Sequence, residues 1–243
     1  MNNTMQATWV ELFKARRSKM PLLTGLGFLM IPFVGGFFMV VLKDPELARQ
    51  TGMISAKAQM LAGVADWPTY LSLLAQATAV GGLILFSLIG SWVFGREFAD
   101  RTVTDLLALP TPRSAIVTAK FLVIAIWSVA LVSIIYFVGL GVGVAVDLPQ
   151  TAVGVFGQGS AVFVSTAGLT ILSITPILFF ASAGHGYLPP MGMAILAIFL
   201  SQIIAVAGYG EYFPWSIPAL YSQGDDLGAI SFAIVGVTGV VGI

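Results

Sequence analysis

Charged side chains are rare in this chain and gather in a few places, so any chemistry must start there. The richest stretch is Arg96-Glu-Phe-Ala-Asp-Arg-Thr-Val-Thr-Asp-Leu-Leu-Ala-Leu-Pro-Thr-Pro-Arg113, which mixes three cations, three anions and several leucines. Mixed charge with apolar side chains suits docking on another protein, although on composition alone a solvated connector fits equally well. It offers no nucleophile paired with a base. The chain has no cysteine, which removes disulfides, thiolate chemistry and Cys-based zinc sites. It has one histidine, His185, too few for a dedicated histidine metal site. Neither an HExxH nor a Ser-His-Asp pattern can be assembled. A GxxxxGK[ST] phosphate loop is excluded because no Gly-Lys dipeptide occurs.

The elements that carry these residues are built for lipid. Of the 243 residues, 58% are hydrophobic and 9% charged, against about 25% charged in soluble domains. A water-facing exterior cannot be made from so few polar groups. The sequence therefore predicts an all-α integral membrane protein. Six uncharged runs stand out, over 20–42, 71–95, 121–146, 161–184, 187–210 and 229–243. A spanning helix needs about 20 apolar residues. The first five qualify. The sixth has 15 residues and is short for a bilayer, so the sequence predicts that the natural chain continues beyond Ile243 or that this run is re-entrant. Continuous apolar runs argue against a β-barrel, whose strands alternate in polarity. The first run is too long, and too far from the N-terminus, for a cleaved signal peptide.

Lys and Arg set orientation. Four precede the first run (Lys14, Arg16, Arg17, Lys19), and four separate the second from the third (Arg96, Arg101, Arg113, Lys120). Three (Lys43, Arg49, Lys57) separate the first from the second. An N-terminus in the cytoplasm puts eight inside and three outside, and this orientation is expected in a multi-pass protein of a bacterial cytoplasmic membrane.

Residues 1–19 are expected to form an amphipathic helix lying in the interface. Met5, Trp9, Leu12, Phe13 and Arg16 recur at helical spacing and give an apolar face with a basic end. A plain basic flank that only fixes orientation is the simpler alternative. Thr102-Val-Thr-Asp105 fits a helix start, Pro110 ends that short helix, and Thr111 with Pro112 is placed to begin the next. The segment 211–228 interleaves Tyr212, Phe213, Trp215 and Tyr221 with prolines. It is expected to anchor at the interface, with substrate gating as the sharper alternative.

The runs themselves carry no Asp, Glu, Lys or Arg in their interiors. Ion-coupled transporters place such groups there, so any uphill work must draw energy from a partner. Gln76 and Gln202 are explained by helix–helix hydrogen bonds. Gly139 and Gly143 predict close helix packing, and Pro176 predicts a kink in the fourth run.

Three stretches resemble the membrane subunits of type-2 ABC exporters, most nearly the bacitracin-resistance and lantibiotic-immunity permeases. They are Glu11-Leu-Phe-Lys-Ala-Arg-Arg-Ser-Lys-Met20, the region from Phe94-Gly-Arg-Glu through Pro110 to Lys120, and Tyr212-Phe-Pro-Trp-Ser-Ile-Pro-Ala-Leu220. The resemblance implies a permease domain over 20–243 with 96–113 as a coupling segment seated on a separate cytosolic ATPase. Two permease copies, identical or paralogous, would work with two ATPase subunits that bind the ATP and Mg. This chain would need no cofactor of its own. Membrane lipid would be its surroundings and nucleic acid no partner. On that resemblance Glu97, Asp100, Arg101, Thr102, Asp105 and Leu106 become the ATPase-coupling surface, and the turn at His185 a second cytoplasmic contact. The cargo expected from apolar spans is amphipathic, peptide-like or lipid-like. The competing expectations are an immunity or sensor protein that binds a peptide antibiotic without transport, and a membrane enzyme, which would need a polar catalytic cluster.

Overall fold

In lipid every backbone polar group must find a partner within the chain, which leaves helices as the solution for continuous apolar runs. The computed structural model describes residues 3–44, 64–104, 111–150 and 152–242. Among these the helices are α1 (Asn3–Arg17), α2 (Met20–Lys43), α3 (Trp67–Ala99), α4 (Arg113–Ala145), α5 (Val153–Ser173), α6 (Thr175–Ala183), α7 (Leu188–Val206), α8 (Ile217–Gln223) and α9 (Ala229–Val241), with a short 3-10 turn at Gly210–Tyr212. No strand occurs among the described residues.

Five helical spans are long and apolar enough to cross a membrane: α2, α3, α4, the α5–α6 pair over Val153–Ala183, and α7. The expected sixth span is α9, whose 13 residues make about 20 Å of helix, short of a hydrocarbon core of about 30 Å.

Helix α3 is the axis of the bundle. Its buried side includes Tyr70, Leu71, Leu74, Phe86 and Ile89, and it packs against α2, α4, α5, α6, α7 and α8. The start of α3 is well specified. Asp66 accepts from the Thr69 N–H (2.9 Å), and Pro68 sits in the first turn, where its missing N–H costs nothing. Gly139 and Gly143 of α4 face this helix. A Cβ at Gly139 would lie 2.7 Å from Leu74, and one at Gly143 would lie 2.5 Å from Trp67, so the predicted close packing is realised between α3 and α4.

Pro176 acts as expected. The fourth run breaks at Ile174, and α6 restarts with Thr175 and Pro176 in its first turn. Thr175 Oγ1 then donates to Gly239 O (3.0 Å), tying the break to α9. Two smaller expectations change. The cap of α4 is Pro112 rather than Thr111. Gln76 donates to Ser72 within its own helix (3.1 Å) rather than across helices, and Gln202 is exposed.

Candidate functional site

The two charged regions of the sequence meet at one end of the bundle. Helices α3 and α4 both run past the apolar part of their runs, so Glu97 near the end of α3 and Lys120 near the start of α4 lie side by side. Lys120 Nζ is 2.8 Å from Glu97 Oε2 and 3.9 Å from Glu11 Oε2 of α1. It also donates to Val93 O at 2.7 Å and sits 5.6 Å from the Phe94 ring centroid. Lys14 of α1 lies 2.6 Å from Glu11 Oε1 and 3.4 Å from Glu97 Oε1. Glu11 and Glu97 are each 6% exposed and Lys120 3%. Two carboxylates and two ammonium groups therefore balance in a cluster in which three members are buried and Lys14, 30% exposed, reaches water. Isolated buried charges are costly, and this balance makes their burial tolerable. The cluster joins three elements, α1, α3 and α4.

Glu97 was expected on the surface offered to a partner. The structure turns its carboxylate inward, because Lys120 and Lys14 satisfy it there. It holds the end of α3 rather than presenting itself. Asp100, Arg101 and Thr102 are exposed just beyond it. Asp105 and Leu106 lie outside the described residues.

Helix α3 stops in a defined way. The Thr102 N–H donates to Glu97 O (2.9 Å) and the Arg101 N–H to Phe98 O (3.3 Å). Arg101 takes the left-handed conformation at φ 58°. This is the Schellman ending, which normally uses glycine. His185 plays the same part after α6, at φ 54°, with the Gly186 N–H returning to Ala181 O (3.2 Å).

These two helix ends touch. The His185 and Phe98 rings meet edge to face, 5.1 Å between centroids. Ser91 Oγ donates to Tyr187 O (2.8 Å). A Cβ on Gly95 would come within 3.0 Å of the Gly186 backbone, so any side chain there would press on this turn. Burial, then the negative charge of Asp100, raises the Tyr187 phenol above its ordinary pKa, with Arg96 pulling the other way. Arg96, Asp100 and Tyr187 thus share one electrostatic neighbourhood. Phe98 and Tyr187, which hold the two sites together, were not singled out from the sequence. Their only sequence signal was position, one turn from a predicted helix end.

The amphipathic α1 lies along α4. It buries Glu11 and Ala15 and leaves Met5, Trp9 and Phe13 exposed. Trp9, Leu12, Phe13 and Arg16 line one side of an open apolar groove of about 380 Å3. Arg17 stacks over the Phe13 ring at 4.3 Å.

The aromatic segment lies elsewhere and divides in two. Tyr212 is exposed, and its hydrogen bond with Glu211 raises its phenol pKa. Trp215 turns into the bundle, and its indole donates to Ser173 O (2.8 Å) at the break between α5 and α6. Ser173 Oγ donates back to Pro214 O (3.2 Å). Ser216, Ile217 and Pro218 are buried. Tyr212 therefore stays on the outside of the protein, whereas Trp215 is tied to the α5–α6 break.

Among the described residues no group of three or more His, Asp or Glu side chains is placed to hold a metal ion.

No solved structure matches the chain. The bacitracin transport permease protein BCRB of Bacillus licheniformis is 26% identical over 143 residues, covering 59% of this chain and 69% of that protein. The family model described as ABC-2 family transporter protein matches residues 7–201, from α1 through most of α7. The chain belongs to this family of ABC transporter membrane proteins.

Proposed function

We propose that this permease is the membrane half of an ATP-driven exporter, moved by a separate cytosolic ATPase that docks at the end carrying α1. The observation that supports this most is the convergence of the exposed Asp100–Thr102 surface and the His185 turn at that end, joined through Phe98. Asp105 and Leu106, which follow closely in sequence, are assigned to the same proposed surface. That end also carries the eight Lys and Arg residues of the α1 and α3–α4 regions, which supports a cytoplasmic placement.

Helices α3 and α4 have 33 residues each, about 50 Å of helix, which exceeds the hydrocarbon core. A push on their ends can be carried through the bilayer as a rigid-body tilt. ATP would close a pair of ATPase subunits, the docked ends would move, and the spans would follow as levers. The Glu11–Lys14–Glu97–Lys120 cluster ties α1 to α3 and α4, so α1 would move with them. The working unit is two permease copies with two ATPase subunits, and α9 supplies a short sixth span in each copy, met by local thinning of the bilayer. The cargo class is an amphipathic peptide or lipid-like molecule, and a peptide antibiotic such as bacitracin suits both the apolar spans and the named relative.

The test is copurification in mild detergent. An ATPase retained at stoichiometric yield by the wild type and lost in Asp100→Arg supports the proposal. A permease that elutes alone from membranes containing the ATPase contradicts it.

A further inference from the structure

The groove between α1 and the exposed side of α4 has no protein side chain filling it. Trp9 and Phe13 form one wall, Ile126, Trp127 and Ala130 the other, and Pro21 closes one end. Its volume of about 380 Å3 falls within the small-ligand range of roughly 300–1,000 Å3. The lining is almost wholly apolar, and its one charged member is Arg16 at the rim.

The charges around it have one sign. Arg16, Arg17 and Lys19 are exposed beside the groove, and none has a carboxylate partner among the described residues. The nearest carboxylate on the same helix, Glu11, is buried and already held by Lys14 and Lys120. An anion is thus favoured at the mouth and hydrocarbon inside.

We infer that the groove binds one anionic phospholipid, with an acyl chain between Trp9 and Ala130 and the headgroup phosphate on Arg16. Within a bilayer, protein and lipid tails are equally apolar, so the tail alone gives little selectivity. Selectivity comes from the headgroup. The site is independent of the transport proposal, since it needs neither ATPase nor cargo.

Native mass spectrometry of the purified protein after exchange into phosphatidylglycerol or phosphatidylcholine of identical chains tests this. One phosphatidylglycerol retained per chain, with phosphatidylcholine washed away, is expected. Arg16→Glu should weaken retention about tenfold or more, since each basic group near an anionic headgroup counts for several-fold. Ala130→Trp should abolish retention by filling the groove from an exposed position, with thermal stability unchanged, which keeps the test separate from folding. Equal retention of both lipids, or retention untouched by Ala130→Trp, overturns the inference. So does efficient disulfide formation between two copies of Trp9→Cys, which would show that a second copy covers the groove.

Discussion

Replacing Lys120 with Met should be among the most damaging single changes in the protein. The methionine keeps roughly the shape of the stem and removes only the ammonium. Lys120 Nζ serves Glu97 at 2.8 Å and Glu11 at 3.9 Å, and the side chains of all three are no more than 8% exposed. Without it, two buried carboxylates share Lys14 alone, and the cluster carries one uncompensated negative charge. Removing one partner of a buried pair costs about 3–5 kcal/mol, and there is too little exposure for solvent to reduce that figure. Glu97→Gln leaves the opposite imbalance, one excess positive charge, and should cost less, about 2–3 kcal/mol, because Lys14 is 30% exposed and water screens part of that charge. The double variant Lys120→Met/Glu97→Gln keeps Glu11 with Lys14, a balanced pair 2.6 Å apart. It should be about as stable as Lys120→Met alone rather than worse by the cost of Glu97→Gln, a coupling energy of about 2–3 kcal/mol. Unfolding of the purified variants in mixed micelles with increasing SDS gives the cycle. Single costs below about 1 kcal/mol that simply add would mean the cluster behaves like a solvated surface pair, and the tie of α1 to α3 and α4 would fail.

Other consequences follow from the same region. Arg101→Gly should be neutral or stabilising by up to about 1 kcal/mol, whereas Arg101→Val should destabilise by 1 kcal/mol or more, because a β-branched residue resists the left-handed conformation. Thermal melts of the two variants read this directly. Gly95→Ala should cost about 1–3 kcal/mol, since the added methyl meets the Gly186 backbone, which cannot step aside as a side chain could; a melt unchanged from wild type would refute the close approach. Trp215→Phe keeps an aromatic ring, though a smaller one, and loses the bond to Ser173 O, which alone should cost about 1 kcal/mol. Protease sensitivity near the α5–α6 break should rise with it.

Much of the architecture was legible in the sequence because hydropathy alone decides what can sit in lipid. The runs at 20–42 and 187–210 fall close to α2 and α7. The bounds of α3 and α4 were not legible, because backbone hydrogen bonding does not stop where hydropathy falls; α3 continues through Arg96 and Glu97, and α4 begins at Arg113. Pro176 and the Gly139–Gly143 pair acted locally and could be read locally. The charge cluster could not. Lys14 and Glu97 are 83 positions apart, and nothing in either segment names the other. One clue was present. Glu97 and Lys120 border facing ends of consecutive apolar runs, so an antiparallel pair of spans brings opposite charges to one depth. The hydrogen bond of Trp215 was not legible for a related reason. Its amphipathic ring suits an interface, but a broken helix at Ser173 offers a free carbonyl that the indole can satisfy.

The coupling surface itself offers the most direct test of the whole account. The chain has no cysteine, so a single one can be placed without disturbing any other. Thr102 and Asp225 are both exposed and lie at opposite ends of the bundle, since Ser222 O accepts from Ser72 near the start of α3 (3.1 Å) and Thr102 follows its end. Cross-linking each single-cysteine variant to the copurifying ATPase should give a covalent adduct from Thr102→Cys that depends on ATP state, and none from Asp225→Cys. An adduct from Asp225→Cys, or from neither position while the complex stays intact, would contradict the account.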